Sequence, residues 1–192
     1  MANYAAVNYV IEGNEKTLQW INEAMLNPKV DKNADSSWEG NVLLSLGITK
    51  NKIESSYLRG FIQEPPRVDD TTISFSAEEA WNRTDFAELL TEKFPDLTIY
   101  WTVEEPGMEI YETNDAEQKY FKFKYWVDAC IEDEYYDDYF NTIEEVCKFT
   151  KDITNGEVKS LEDIKKFNDA HEEGNDFCEN FIYLHEFKVV EE

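Results

Sequence analysis

The chain has 192 residues, 42% of them hydrophobic and 15% aromatic, which suits one domain with a well-filled core and excludes disorder along its whole length. Against 18 Lys plus Arg stand 42 Asp plus Glu, a net charge of −24. A field of that sign repels phosphate backbones and anionic membrane surfaces, so direct binding to bare nucleic acid is excluded and a basic protein surface is the partner it attracts.

Tyr4 to Ile11 is short, rich in apolar residues and followed by Gly13, the pattern of a buried first strand. Asn14 caps a predicted helix from Glu15 to Asn27, with Leu18, Ile21 and Met25 at helical spacing and Pro28 as its stop. Lys29 to Ser37 is polar and loop-like. Trp38, Val42 and Leu46 fit a short helical face stopped by Gly47. Tyr57 to Gln63 reads as a strand ended by Pro65-Pro66, and Thr71 to Ala77 alternates with Ile73 and Phe75 on one face. After Trp81 a helix is predicted to Phe94, its stripe made by Phe86, Leu89, Leu90 and Phe94 and closed by Pro95.

Leu97 to Val103 alternates again, and Glu104-Glu105-Pro106-Gly107 is a turn in which Gly107 is the residue suited to positive φ. A strand from Met108 to Glu112 and a turn at Asn114-Asp115 follow. Tyr120 to Ile131 is the longest β-like run, placing Phe121, Phe123, Tyr125, Val127 and Ala129 together. Thr142 and Glu145 form a capping box for a helix with Ile143, Val146 and Cys147 inward. Ser160 and Asp163 start another, with Leu161, Ile164 and Phe167 inward and Gly174 as its stop; Phe181 to Val190 is the last strand. Strands in hairpins with helices between groups of them predict one α+β domain over residues 1–192. Its sheet is antiparallel or mixed, ferredoxin-like, covered by helices mainly on one face, with a helical insertion at about 141–175. A boundary near Glu117 is an alternative that the strong run from Tyr120 argues against.

Several of these segments resemble a known family. Val7 to Gly13 (VNYVIEG), Ser74 to Trp81 (SFSAEEAW), Lys93 to Tyr100 (KFPDLTIY), Glu104 to Asp115 (EEPGMEIYETND) and Tyr120 to Tyr125 (YFKFKY) are similar to the YubB-like ferredoxin-like domains of plasmid, phage and other mobile-element proteins. The resemblance implies a ferredoxin-like fold and a bacterial mobile-element context. It brings no catalytic residues.

Motifs for bond-breaking chemistry are missing from the sequence. His171 and His185 do not pair at helical spacing, and the window from Asp133 to Glu144 lacks the glycine and ligand pattern of an EF-hand, so no metal site and no cofactor are expected. There is no G-x-S-x-G elbow and no phosphate-binding glycine loop. Cys130, Cys147 and Cys178 form no C-x-x-C pair and read as free, apolar core thiols of a reducing compartment. The N-terminal stretch shows no signal-peptide pattern and no apolar run reaches membrane-spanning length, so a cytoplasmic location is expected.

One segment carries the functional expectation. Glu132, Asp133, Glu134, Tyr135, Tyr136, Asp137, Asp138 and Tyr139, ending at Phe140, pack five acids among aromatics. The plain reading is a solvated loop with Tyr rings over a sheet edge. The functional reading is a surface for a basic partner, with carboxylates for Arg and Lys and rings for cation–π contact, in the manner of a nucleic-acid mimic. The expected function is therefore non-enzymatic binding of a basic protein surface. Two alternatives stand beside it: a carboxylate-based metal-dependent enzyme, and a scaffolding domain whose acidity serves solubility alone.

Overall fold

A computed structural model of the chain describes residues 3–31, 34–171 and 180–190. In chain order the elements are β1 (Tyr4–Glu12), α1 (Glu15–Leu26), α2 (Glu39–Ser45), α3 (Lys50–Glu54), β2 (Gly60–Ile62), β3 (Arg67–Val68), β4 (Thr72–Ala80), α4 (Phe86–Lys93) and β5 (Thr98–Glu105). There follow β6 (Ile110–Thr113), β7 (Tyr125–Ile131), β8 (Glu134–Phe140), α5 (Ile143–Ile153), α6 (Leu161–His171), β9 (Phe181–Glu186) and β10 (Lys188–Val189). The fold is mixed α+β, as the patterning predicts. The strands, however, form two sheets rather than one, in two compact units: Met1–Tyr120 with Val189–Glu192, and Phe121–Lys188. The second unit is thus inserted in the sequence of the first.

In the first unit β1 is central. It pairs antiparallel with β4 through Tyr9–Phe75 and with β5 through Tyr9–Trp101, and the sheet runs β10-β6-β5-β1-β4-β2, with β3 also on β4. Because side chains alternate along a strand, Ala5, Val7, Tyr9 and Ile11 share one face with Ile73, Phe75, Ala77, Ile99, Trp101 and Val103. That face is the core, closed by Leu18 and Ile21 of α1, Val42 and Leu43 of α2, and Phe86, Leu89 and Leu90 of α4. Asn14 caps α1 as expected, its Oδ1 accepting from the Thr17 N–H at 3.0 Å. Gly47 leaves α2 at φ +82°, the left-handed conformation that the stop requires.

In the second unit the order is β8-β7-β9, all antiparallel. Tyr125, Val127, Ala129 and Ile131 of β7 pack with Ile182 of β9 under Val146 of α5 and Ile164 and Phe167 of α6. The capping box is present: Thr142 Oγ1 accepts from Glu145 N–H at 3.2 Å, and Glu145 Oε2 accepts from Thr142 N–H at 3.1 Å. The helices expected as an insertion at 141–175 are instead the cover of this second sheet.

Several boundaries differ from expectation, each for a local reason. Tyr120 to Lys124 does not extend β7, because Asp115 Oδ2 takes the Tyr120 N–H at 2.7 Å and the Tyr120 hydroxyl bonds Glu12, holding that end to the first sheet. The strand expected at Phe181 to Val190 breaks at Phe187, whose N–H turns to the Lys124 carbonyl at 2.9 Å; Val190 N–H then bonds Thr113 O at 2.8 Å. Positive φ after Pro106 falls on Glu109 (φ +55°), not on Gly107. Leu161, expected inward, is 43% exposed, since as the first residue of α6 it precedes the buried stripe. Gly174 and Cys178 lie outside the described residues.

The β7–β8 turn carries strain. Ile131 pairs with Glu134, so Glu132 and Asp133 alone make the connection, at φ +51° and +69°. Two successive left-handed residues are the primed hairpin turn that Asn-Gly fits best, and each non-glycine there costs about 1 kcal/mol. Replacing Glu132-Asp133 by Asn-Gly should stabilise the second unit by about 1–2 kcal/mol, read as a higher urea midpoint with unchanged slope.

Candidate functional site

The acid–tyrosine segment is a strand, not a solvated loop. Its alternation divides the eight expected residues among three places. Glu132 and Asp133 form the turn. Glu134, Tyr136 and Asp138 stand opposite Ile131, Ala129 and Val127, on the side of α5 and α6. Tyr135, Asp137 and Tyr139 stand opposite Cys130, Asp128 and Trp126, on the other side. Tyr136 half-buries its ring against the second unit's core and donates its hydroxyl to Glu134 Oε2 at 2.6 Å. These eight residues therefore do not make one surface.

What the fold assembles is the sheet face opposite the helices, from all three strands. Register places Tyr139, Trp126 and His185 in one row, Asp137, Asp128 and Tyr183 in the next, and Tyr135, Cys130 and Phe181 in the third. Rings run along this face: Trp126 stacks on His185 at 5.1 Å between centroids, Phe181 stacks on Tyr183 at 4.8 Å, and Phe123 meets Tyr139 at 4.6 Å. Tyr135 is 75% exposed, Tyr183 51% and Tyr139 40%, so broad aromatic area meets solvent here. Trp126, Asp128, Phe181, Tyr183 and His185 are the members that the sequence reading missed. Their signal was the even-numbered half of β7 and the odd-numbered half of β9.

Charge sits in the middle row. Asp128 and Asp137 are directly opposed across the strands, an arrangement that costs stability unless a cation is near. Burial pushes the Asp128 carboxyl above its ordinary range; His185 pulls it back and Asp137 pushes it up again. Residues 121–188 hold eight lysines and no arginine against eighteen acids, so this unit alone is at −10. The face joins hydrophobic area to negative potential.

A second constellation lies in the first unit. Glu39 of α2 and Glu79 of β4 are both fully buried, 0% exposed. Tyr9 donates its hydroxyl to Glu79 Oε1 at 2.7 Å, the Thr84 N–H bonds Glu79 Oε2, and Thr84 Oγ1 donates to Glu39 Oε2 at 2.9 Å. Trp81 and Asn82 precede this loop at φ +57° and +73°, and Asn82 N–H donates to the buried Glu105 Oε2 at 2.8 Å. Arg83 lies 4.4 Å over the Trp101 ring and pairs with Glu88 at 2.5 Å. No periodicity marked Glu39 or Glu79 as special among 42 acids.

Among the described residues no group of three His, Cys, Asp or Glu could hold a metal ion. Cys130 is buried and Cys147 half-buried, both as free thiols. No helix among the described residues is long and apolar enough to cross a membrane.

Asp128, with its raised carboxyl, favours the folded state below the ordinary carboxylate range, and that contribution fades as pH rises through its folded value. Asp137→Asn should lower the Asp128 titration midpoint, followed by carboxyl NMR. It should also stabilise the unit by about 0.2–1 kcal/mol at neutral pH, a gain that shrinks in high salt. The chain matches no protein-family model, no curated protein and no solved structure.

Proposed function

We propose that the protein is a binding module, not an enzyme, and that the aromatic–acidic face of its second sheet receives an Arg- or Lys-rich segment of a partner protein. The observation that carries this reading is the interleaving on one face of exposed Tyr135, Tyr139 and Tyr183 with the opposed pair Asp128 and Asp137. An incoming cation relieves the carboxylate repulsion, and its flat or aliphatic parts lie on the rings. Tyrosine suits such a surface because it offers large contact area with few rotatable bonds. The surrounding charge of −24 speeds encounter with a basic surface and repels polyanions.

The first unit supports a ferredoxin-like reading. Its strand order β5-β1-β4-β2, with helices between β1 and β2 and between β4 and β5, is that of a split β-α-β pair. We carry the YubB-like resemblance, a mobile-element setting and a cytoplasmic location as part of the same proposal. Carboxylate-based catalysis finds its best foothold at Glu39 and Glu79, but both are sealed from solvent, which favours the binding reading.

Titration with an arginine-rich peptide at low salt tests the proposal. Tyr135→Ala with Tyr183→Ala should weaken binding about tenfold, given about 0.5–1 kcal/mol for each cation–π contact. Neutralising Glu162 and Asp169, which lie on α6, should change it far less. Equal losses from the two sets would reduce the effect to overall charge and sink the assignment of the face.

A further inference from the structure

We propose that Glu39 and Glu79 form a buried proton site: at neutral pH the folded chain holds one proton between their carboxyl groups, and that proton fastens α2 to the first sheet. The hydrogen-bond inventory requires it. Glu79 has both oxygens occupied, by the Tyr9 hydroxyl and the Thr84 N–H. Glu39 Oε2 takes the Thr84 hydroxyl, while Glu39 Oε1 is buried with no donor directed at it. The two carboxyl groups converge on one residue, Thr84, whose N–H bonds Glu79 and whose hydroxyl bonds Glu39, and Gly60, on which Glu39 packs, is the cross-strand partner of Glu79. If both were ionised, two like charges would share one residue's donors in a site without solvent. One proton turns that repulsion into a short O–H···O bond and gives Glu39 Oε1 its missing role as donor.

The site is fitted around this pair. A Cβ on Gly60 would stand 2.2 Å from Glu39 Oε2, so the carboxyl packs directly on the backbone of β2. β1 offers Tyr9, whose hydroxyl burial drives upward and keeps as a donor. The loop after β4 offers Arg83, already paired with Glu88, and Arg59, next to Gly60, lies over the Trp81 ring at 5.0 Å. Glu105 of β5 and Tyr57 are the next titratable neighbours, Glu105 being held by the Asn82 N–H. Burial first, then the Glu79 charge, drives the Glu39 carboxyl well above its usual range, with Thr84 and Arg83 opposing.

The sign of the linkage follows. A carboxyl whose folded value is raised favours folding most fully below the unfolded value, and the advantage is lost as pH rises toward the folded one. Glu12, Asp35, Asp69 and Asp163 are shifted downward and act in the opposite sense, so a difference between variants is the quantity to read.

Glu39→Gln keeps the shape and supplies a permanent N–H donor to Glu79. Chemical denaturation of both proteins from about pH 5 upward should show the wild-type folding constant falling about tenfold per pH unit relative to the variant, one proton's worth, until the pH reaches the folded value of the pair. Parallel profiles would overturn the proposal. Infrared spectra of wild-type protein with isotope-labelled glutamate at pH 7.5 should also show a protonated carboxyl, absent from the variant. Should Glu39→Gln fail to fold, that band decides alone: its absence from the wild type removes the proton and the site with it.

Discussion

β7 is a strand paired on both sides whose two faces meet different surroundings. Its odd-numbered residues, Tyr125 to Ile131, are committed to the core under α5 and α6, and this fixes the register of β8 and β9 on either side. Once register is fixed, the even-numbered residues have no freedom either. Trp126, Asp128 and Cys130 must lie in line with Tyr139, Asp137 and Tyr135 and with His185, Tyr183 and Phe181. The proposed binding face is therefore a by-product of core packing, held rigid by it. A slip of one residue would exchange the two faces and bury the carboxylates.

The same logic governs the first unit, where β1 plays the central part, but there the core is not purely apolar. Tyr9, Glu39 and Glu79 are buried among Val7, Leu43 and Phe86. A buried polar group costs stability unless each of its bonds is made, and a buried charge costs more. The chain meets that demand with Thr84, with a pair of left-handed residues that aim the loop, and with a glycine that leaves room. Such networks give geometric uniqueness more readily than net stability.

Elements with strong periodicity were legible in the sequence. β1, α1, α4 and the core halves of β4 and β5 follow from alternation or helical spacing, and the Asn14 and Thr142 caps follow from side-chain chemistry. What was not legible depended on distant partners. Nothing local in Tyr120 to Ile131 tells that Tyr120 is bound to Glu12, 108 residues away, and so belongs to another unit than Tyr125. The acid–tyrosine run was noticed for its composition. Without its neighbours on β7 and β9, however, its two faces could not be told apart, and five of the eight residues singled out turned toward the helices or into the turn. Glu39 and Glu79 were invisible because burial of an acid is a property of the fold and not of its spacing.

β8 ends the row of strands in its sheet, seven residues long and rich in tyrosine, the composition that favours stacking with copies of itself. Asp138 counters this from within the strand: its Oδ1 takes the N–H of Tyr139 at 2.8 Å, so that amide is no longer available to an incoming chain. Together with Glu134 and Asp137 it makes the margin both charged and partly self-satisfied. Acid strong enough to protonate these three carboxyls would therefore strip the gatekeepers from an aromatic strand and open a route to fibrils, a cost of placing sticky rings where a partner can reach them.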